Sequence, residues 1–287
     1  MITLPKKIDI IEVGPRDGLQ NEKKFVPTAR KRAFILGLRA AGLREIEATS
    51  FVHPQWVPQL ADAEALLDSL PEASSYWVLV PNAKGMARAL GRGMRKLAFF
   101  TAASESFNQK NTNTSIDGSF ARMQEAIAAL APVRAEARLR IYVSTAFYCP
   151  YEGKIPPERA AAVIDRAFAL GADEISIGDT IGKATPLDVE RLLELVLARH
   201  PPERLALHVH DTYHLAIANV YQGLRMGVTR FDSSAGGLGG CPYAPGASGN
   251  VATEDVVFLC NQLGIETGVN LDALRVVSAE MKALLLG

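Results

Sequence analysis

FALGADEISIGD, residues 168–179, runs from the end of an apolar segment with helical spacing, across a glycine, into a β-rich run that finishes on a glycine and an aspartate. A left-handed glycine can stop a helix and turn the chain back into a strand. The same junction recurs in RAAGLREIEA (39–48) and RMGVTRF (225–231). Eight β-rich runs follow one another along the chain: IDIIEV (8–13), EIEATSF (45–51), YWVLVP (76–81), KLAFFTA (96–102), LRIYVSTAF (139–147), EISIGD (174–179), LALHVH (205–210) and TRFDSS (229–234). Apolar residues recur at helical spacing in TARKRAFILGLRAAG (28–42), QLADAEALLDSL (59–70), FARMQEAIAALAPVRAEA (120–137), PPERAAAVIDRAFALGA (156–172), PLDVERLLELVLARH (186–200) and LAIANVYQGLRMG (215–227). The repeat, with no linker or break in composition, predicts one α/β domain over 1–287, a (β/α)₈ TIM barrel. NLDALRVVSAEMKALLL (270–286) reads as a capping helix at its end. A doubly wound open sheet is the competing fold, and the absence of G-x-G-x-x-G after the first strand counts against it.

Composition narrows the function. The chain has 287 residues and 48% hydrophobic content, enough for a large core. Lys plus Arg balances Asp plus Glu at 31 each, so no global field draws it to nucleic acid or an anionic membrane. Cys149, Cys241 and Cys260 are too few for a disulfide framework, which favours a reducing compartment. With no long apolar segment and no Arg-rich leader, a cytoplasmic protein is expected.

A barrel places chemistry at the C-terminal ends of its strands, and the polar residues fall there. The first strand exits into VGPRDGLQNE, with Arg16 and Asp17; the second ends with Glu47 and Ser50; the sixth supplies Ser176, Asp179 and Thr180. The seventh ends in HVHD, and because alternate strand residues share a face, His208 and His210 point together into the lumen while Leu207 and Val209 face the helices. Two imidazoles on one face can converge on an ion. Asp17 is the best further ligand, and Asn250 is also suitable. Imidazole and oxygen donors without a thiolate suit Mg²⁺ or Mn²⁺ better than structural zinc. Arg16 suits an anionic oxygen.

The densest glycine stretch, AGGLGGCPYAPGASGN (235–250), follows the eighth strand and lacks the Lys-Ser/Thr pair of a P-loop. It reads as a lid carrying Cys241 over the site, a thiol competent to donate or accept a proton. Cys149 reads as structural and Cys260, in an apolar helix, as core.

VGPRDGLQNE (13–22), SFVHPQWVPQ (50–59), CPYEGK (149–154), EISIGDTIG (174–182), HVHDTY (208–213) and above all GLGGCPYAPGASGNVATED (237–255) resemble the 3-hydroxy-3-methylglutaryl-CoA lyase family of metal-dependent barrel lyases. The resemblance spans nearly the whole chain. It implies that Asp17, His208, His210 and Asn250 bind a divalent cation, that Arg16 polarises substrate oxygens, and that Cys241 is the catalytic lid thiol, with Glu47 and Asp179 also in the catalytic group. Gln20, Ser50, Tyr142, Ser176 and Thr180 are the further expected substrate contacts. The implied reaction cleaves an acyl-CoA substrate, coenzyme A being part of that substrate, and the resemblance suggests a homodimer. A lyase for a longer branched hydroxyglutaryl-CoA, a Claisen condensing enzyme and a non-catalytic CoA-binding barrel are the alternatives. Departures from the family pattern fall at Ala235, Gly236, His214, Phe147 and Tyr148, the bulky ones being expected at the barrel mouth. The polar stretch SESFNQKNTN (104–113) reads as a loop that touches coenzyme A or is simply solvated.

Overall fold

Each of the three helix-to-strand glycines adopts the left-handed conformation, with φ of 107° at Gly42, 99° at Gly171 and 85° at Gly227. At all three the turn is closed twice: Leu43, Ala172 and Val228 N–H groups donate to the carbonyls of Leu38, Ala167 and Gly223, while the glycine N–H groups donate to Arg39, Phe168 and Leu224. This double closure satisfies helix-end carbonyls and points the chain into the next strand. Gly42 cannot be replaced freely, since a Cβ there would lie 2.2 Å from the Gly268 carbonyl oxygen.

In the computed structural model, which describes residues 4–240 and 249–287, these turns build a closed ring of eight parallel strands. They are β1 (Asp9–Glu12), β2 (Glu45–Ser50), β3 (Trp77–Leu79), β4 (Lys96–Ala102), β5 (Arg138–Ser144), β6 (Glu174–Asp179), β7 (Leu205–Val209) and β8 (Arg230–Ser233). β8 returns beside β1 in register, Asp9 opposite Arg230 and Glu12 opposite Ser233, as the expected barrel requires. The outer layer holds α1 (Thr28–Ala40), α2 (Ala63–Ser69), α3 (Ala83–Gly91), α4 (Glu105–Thr112), α5 (Ile116–Ala128), α6 (Pro157–Ala169), α7 (Pro186–Leu197), α8 (Ala216–Arg225), α9 (Thr253–Leu263) and α10 (Leu271–Leu286). No described helix is long and apolar enough to cross a membrane.

Leu207 and Val209 pack in the core between sheet and helices, and the opposite face of β7 turns to the lumen. TIM barrels commonly fill that lumen with layers of branched apolar side chains. Here much of it is ionic. Arg140 lies between Glu174 (3.2 Å) and Asp232, and Arg230 continues the chain to Glu174 (2.5 Å) and Asp9 (2.7 Å). Opposite charges alternate, so each desolvated ion has a partner, the condition under which buried charge is tolerated.

Several expectations need correcting. The stretch 104–113 is the helix α4, not a loop. Only Phe107 and Asn108 of α4 are buried, so no apolar stripe announces it. It is held instead at its start, where Ser104 caps Phe107 and the Glu152 carboxylate accepts from the Ser106 N–H at 2.8 Å. Phe147 lies in the core rather than at the mouth, and Tyr148 packs beneath the ammonium groups of Lys154 and Lys183. His214 adopts φ of 58°, which makes its departure from a glycine a matter of backbone conformation. Cys149 is buried, accepting from the Ser104 hydroxyl at 2.9 Å, and Cys260 is buried in α9.

Glu12 ties β1 to the segment after β8. Its carboxylate accepts from the Gly14 N–H (2.8 Å), the Ala235 N–H (2.9 Å) and the Thr253 hydroxyl (2.7 Å). Burial nevertheless pushes its pKa from 4.5 up to about 7. The folded state therefore holds this proton more tightly than the unfolded chain, so Glu12 contributes most below about 4.5 and loses that contribution as pH rises through about 7. Glu12→Gln is expected to flatten the decline of the urea midpoint across this window relative to the unsubstituted protein; parallel profiles for the two would overturn the assignment.

Candidate active site

Val13 ends the first strand, and the chain then winds into a tight π-helical turn, Gly14–Gly18. The N–H groups of Arg16, Asp17 and Gly18 all converge on the Val13 carbonyl, at 3.1, 2.7 and 3.1 Å. The turn needs small residues, since a Cβ on Gly18 would lie 2.8 Å from the Ser234 hydroxyl and 3.0 Å from Leu238 Cβ. It sets Arg16 and Asp17 side by side on the wall of a cavity of about 930 Å³ at the C-terminal end of the barrel.

Asp17, His208 and His210 offer ligand atoms that all lie within 4.8 Å of one another. Asn250 joins them by donating from Nδ2 to Asp17 Oδ2 at 2.8 Å. This is the convergence expected from the two histidines, the strand-one aspartate and the asparagine. The donor set fits a divalent cation on structural grounds. Asn250 Oδ1 is buried with no hydrogen-bond partner among the described residues. The Nε2 atoms of His208 and His210 face each other at 3.1 Å, an arrangement that two lone pairs cannot hold without a proton or a cation between them. Burial and the neighbouring His208 push His210 down to about 4, so its ring is neutral at pH 7. Burial alone would raise Asp17, but the charge of Arg16, the two imidazoles and the Asn250 hydrogen bond outweigh it and hold the carboxyl well below its ordinary range.

Arg16 is clamped on both sides. Its Nε donates to Glu47 at 2.6 Å and its Nη1 to Asp17 at 2.5 Å, while its guanidinium lies 5.3 Å from the centre of the Tyr142 ring. Burial works against the charge, but Glu47 and Asp17 prevail and raise its pKa further. Glu47 is buried behind Arg16 and also accepts from the Tyr142 hydroxyl at 3.1 Å. Its place is to hold these two groups, and it is not on the cavity wall.

Of the residues expected to meet substrate, Arg16, Gln20, Tyr142 and Thr180 line the cavity. Ser50 does not; its buried hydroxyl accepts from the Val52 N–H. Ser176 lies a layer below, donating to Asp232 at 2.7 Å. Asp179 is turned away, accepting from the Lys183 and Ala184 N–H groups at 3.1 and 3.0 Å and so fixing the loop after β6. Burial raises its pKa to about 7. Cys241 lies outside the described residues, directly after the cavity-lining Gly240.

Sequence reasoning missed Asp232, which sits below His208 and contacts its Nδ1 at 3.2 Å. A charged residue in the middle of the strand TRFDSS was the available signal. Lys110, within the stretch 104–113 expected to touch coenzyme A or be solvated, lines the cavity from α4; Arg122 on α5, which lines it too, was missed, since a lone surface cation carries no pattern of its own.

The HMGL-like family model matches residues 7–281. A Rattus norvegicus protein named hydroxymethylglutaryl-CoA lyase, mitochondrial, is 51% identical over 280 residues, covering 96% of this chain and 84% of its own length. The hydroxymethylglutaryl-CoA lyase structure from Pseudomonas aeruginosa matches with a TM-score of 0.94 and 46% identity over 98% of this chain and 94% of that one. An HMG-CoA lyase from A. baumannii, in complex with coenzyme A and 3-methylmalate, matches with a TM-score of 0.93 and 39% identity over 99% and 93%.

Outer-shell substitutions at metal sites cost about 10–100-fold in affinity, so loss of the carboxylate ligand itself in Asp17→Asn is expected to raise the Kd for Mn²⁺ on the order of 100-fold. Titration followed by the free Mn²⁺ electron paramagnetic resonance signal checks this. Unchanged affinity would remove Asp17 from the ligand set.

Proposed function

The chain belongs to the HMGL-like family, and from that premise we propose that it is a carbon–carbon lyase cleaving 3-hydroxy-3-methylglutaryl-CoA to acetoacetate and acetyl-CoA. The observation that carries the reading is the meeting of Asp17, His208, His210 and Asn250 beside the clamped Arg16 at the cavity wall. A divalent cation held by these four residues, Mg²⁺ or Mn²⁺ by the character of the donors, supplies Lewis-acid polarisation of substrate oxygens.

The protein groups divide the remaining work. Cleavage breaks the bond between C2 and C3: the C3 hydroxyl loses its proton, C3 becomes the ketone carbon, and the bonding pair leaves as the thioester enolate. Asp179 is engaged with loop backbone, and Asp17, His53, His208 and His210 are the carboxylate and imidazole groups lining the cavity among the described residues. Arg16, fixed by Glu47 and Asp17, supplies positive charge to a developing oxyanion without having to reorganise. Tyr142 supports one side of Arg16. The Cys241 thiol delivers a proton to the enolate carbon, completing acetyl-CoA; its place in the family's glycine–cysteine motif supports this role. The coenzyme A portion lies along the wall formed by α4 and α5, where Lys110 and Arg122 supply cationic groups for its phosphates.

The test is a coupled assay of acetyl-CoA release from 3-hydroxy-3-methylglutaryl-CoA. Turnover is expected to require Mg²⁺ or Mn²⁺, to vanish after exhaustive chelation and to return with the metal. Cys241→Ala is expected to lower kcat by about 10²–10⁴-fold, the usual size of a general acid–base contribution. Turnover that survives chelation would sink the metal-assisted reading, and turnover confined to substrates with a longer C3 substituent would reassign the substrate.

A further inference from the structure

Asp232 stands at the point where the ionic lumen meets the cation cluster. It is buried on β8, and every contact it makes is as an acceptor: Oδ1 takes a hydrogen bond from Arg140, and Oδ2 takes one from the Ser176 hydroxyl at 2.7 Å. Arg140 is itself held by Glu174 at 3.2 Å, which is in turn paired with Arg230. A guanidinium stays protonated in proteins, and an ionised carboxylate has no hydrogen to give. The remaining contact of Oδ2, with His208 Nδ1 at 3.2 Å, therefore places the hydrogen on the ring nitrogen. Cation binding needs the neutral ring, which carries one hydrogen, so in that form Nε2 of His208 presents its lone pair. That nitrogen lies 3.1 Å from His210 Nε2 and 4.0 Å from Asp17 Oδ2.

His210 has no such anchor. Its Nδ1 is buried without a hydrogen-bond partner among the described residues. With the lone pair of a neutral His208 facing it, His210 must carry its hydrogen on Nε2 when no cation is bound. Binding a cation requires that nitrogen's lone pair, so the hydrogen has to be on Nδ1 instead.

We infer that Asp232 is a positioning residue that fixes His208 permanently as the Nδ1–H tautomer, and that the two histidines are consequently unequal, His208 a preset ligand and His210 one that changes tautomer on binding. The inference rests on the cation-site reading above but not on the lyase reaction. It adds a binding step: proton relocation on one ring, with no net proton released by either histidine.

The chain has five histidines, few enough for assignment in ¹⁵N-histidine-labelled protein by long-range ¹H–¹⁵N correlation spectra. His208 is expected to show the Nδ1–H pattern both in chelator-treated protein and with saturating Mg²⁺. His210 is expected to show Nε2–H in the first state and Nδ1–H in the second. Asp232→Asn is expected to let His208 adopt the Nε2–H form and to raise the Mn²⁺ Kd by about 10–100-fold, the range for outer-shell partners. Ser176→Ala, which removes the neighbouring donor to the same oxygen, is expected to leave the His208 pattern unchanged, separating tautomer control from local packing damage. Nε2–H on His208 in the chelator-treated unsubstituted protein, or an unchanged His210 with Mg²⁺ bound, would overturn the inference. If Asp232→Asn does not fold, the unsubstituted protein's spectra still decide it. Failure of the coupled assay would leave these spectra valid, so the two readings can fail separately.

Discussion

Arg140, fully buried between Asp232 and Glu174, is the element on which the ordering of the site depends. Without a cation at that position Asp232 would be left unpaired in a low-dielectric lumen, Glu174 keeping Arg230 alone, and an unpaired buried charge typically costs several kcal/mol. With it, Asp232 remains an acceptor, His208 is oriented from below, and the cation cluster inherits a fixed floor. The cluster is fixed from the other side by Glu47, which holds Arg16 and the Tyr142 hydroxyl together. The reacting surface is thus a thin layer of donors resting on ion pairs, with helical packing outside the strands serving mainly to keep the ring closed. A preorganised electrostatic surface of this kind does not need to rearrange as charge develops on a substrate.

The fold was legible because its signals are local. A glycine three residues before a strand specifies both the helix end and the turn, and Gly42, Gly171 and Gly227 each perform that function with the same pair of hydrogen bonds. The pairing of His208 and His210 was legible for the same reason, since alternation along a strand is set by backbone geometry. What escaped notice was held by contacts distant in sequence. α4 is secured by Glu152 beside its own cap, Ser104, and no apolar stripe within 104–113 declares it. Ser50 and Asp179 occupy strand ends as expected and Ser176 lies in the middle of β6, yet a side chain's position on a strand does not say which neighbour will claim its hydrogen bonds. Asp179 is claimed by the backbone of its own loop, and Ser176 by an aspartate 56 residues away.

The departures from the family pattern sort by the same physics. Phe147 and Tyr148 are bulky, but one is directed into the core and the other beneath two ammonium groups, so neither narrows the cavity. His214 occupies a left-handed position that glycine would adopt without steric cost. Gly236 has φ of 72°, and a Cβ there would lie 2.6 Å from Lys282 Cε. The chemistry of the site is carried by other residues.

Asn250 belongs to two structures at once. The same amide nitrogen that donates to Asp17 at 2.8 Å also donates to the Leu238 carbonyl at 3.2 Å, at the base of the glycine-rich segment. In the proposed cation site, anchorage at Leu238 and affinity for the ion would therefore be linked through one amide, and linkage is reciprocal. A displacement of Leu238 that disturbs the amide would then change ion occupancy, and filling the site would bias the posture of the chain at Leu238 by the same free energy.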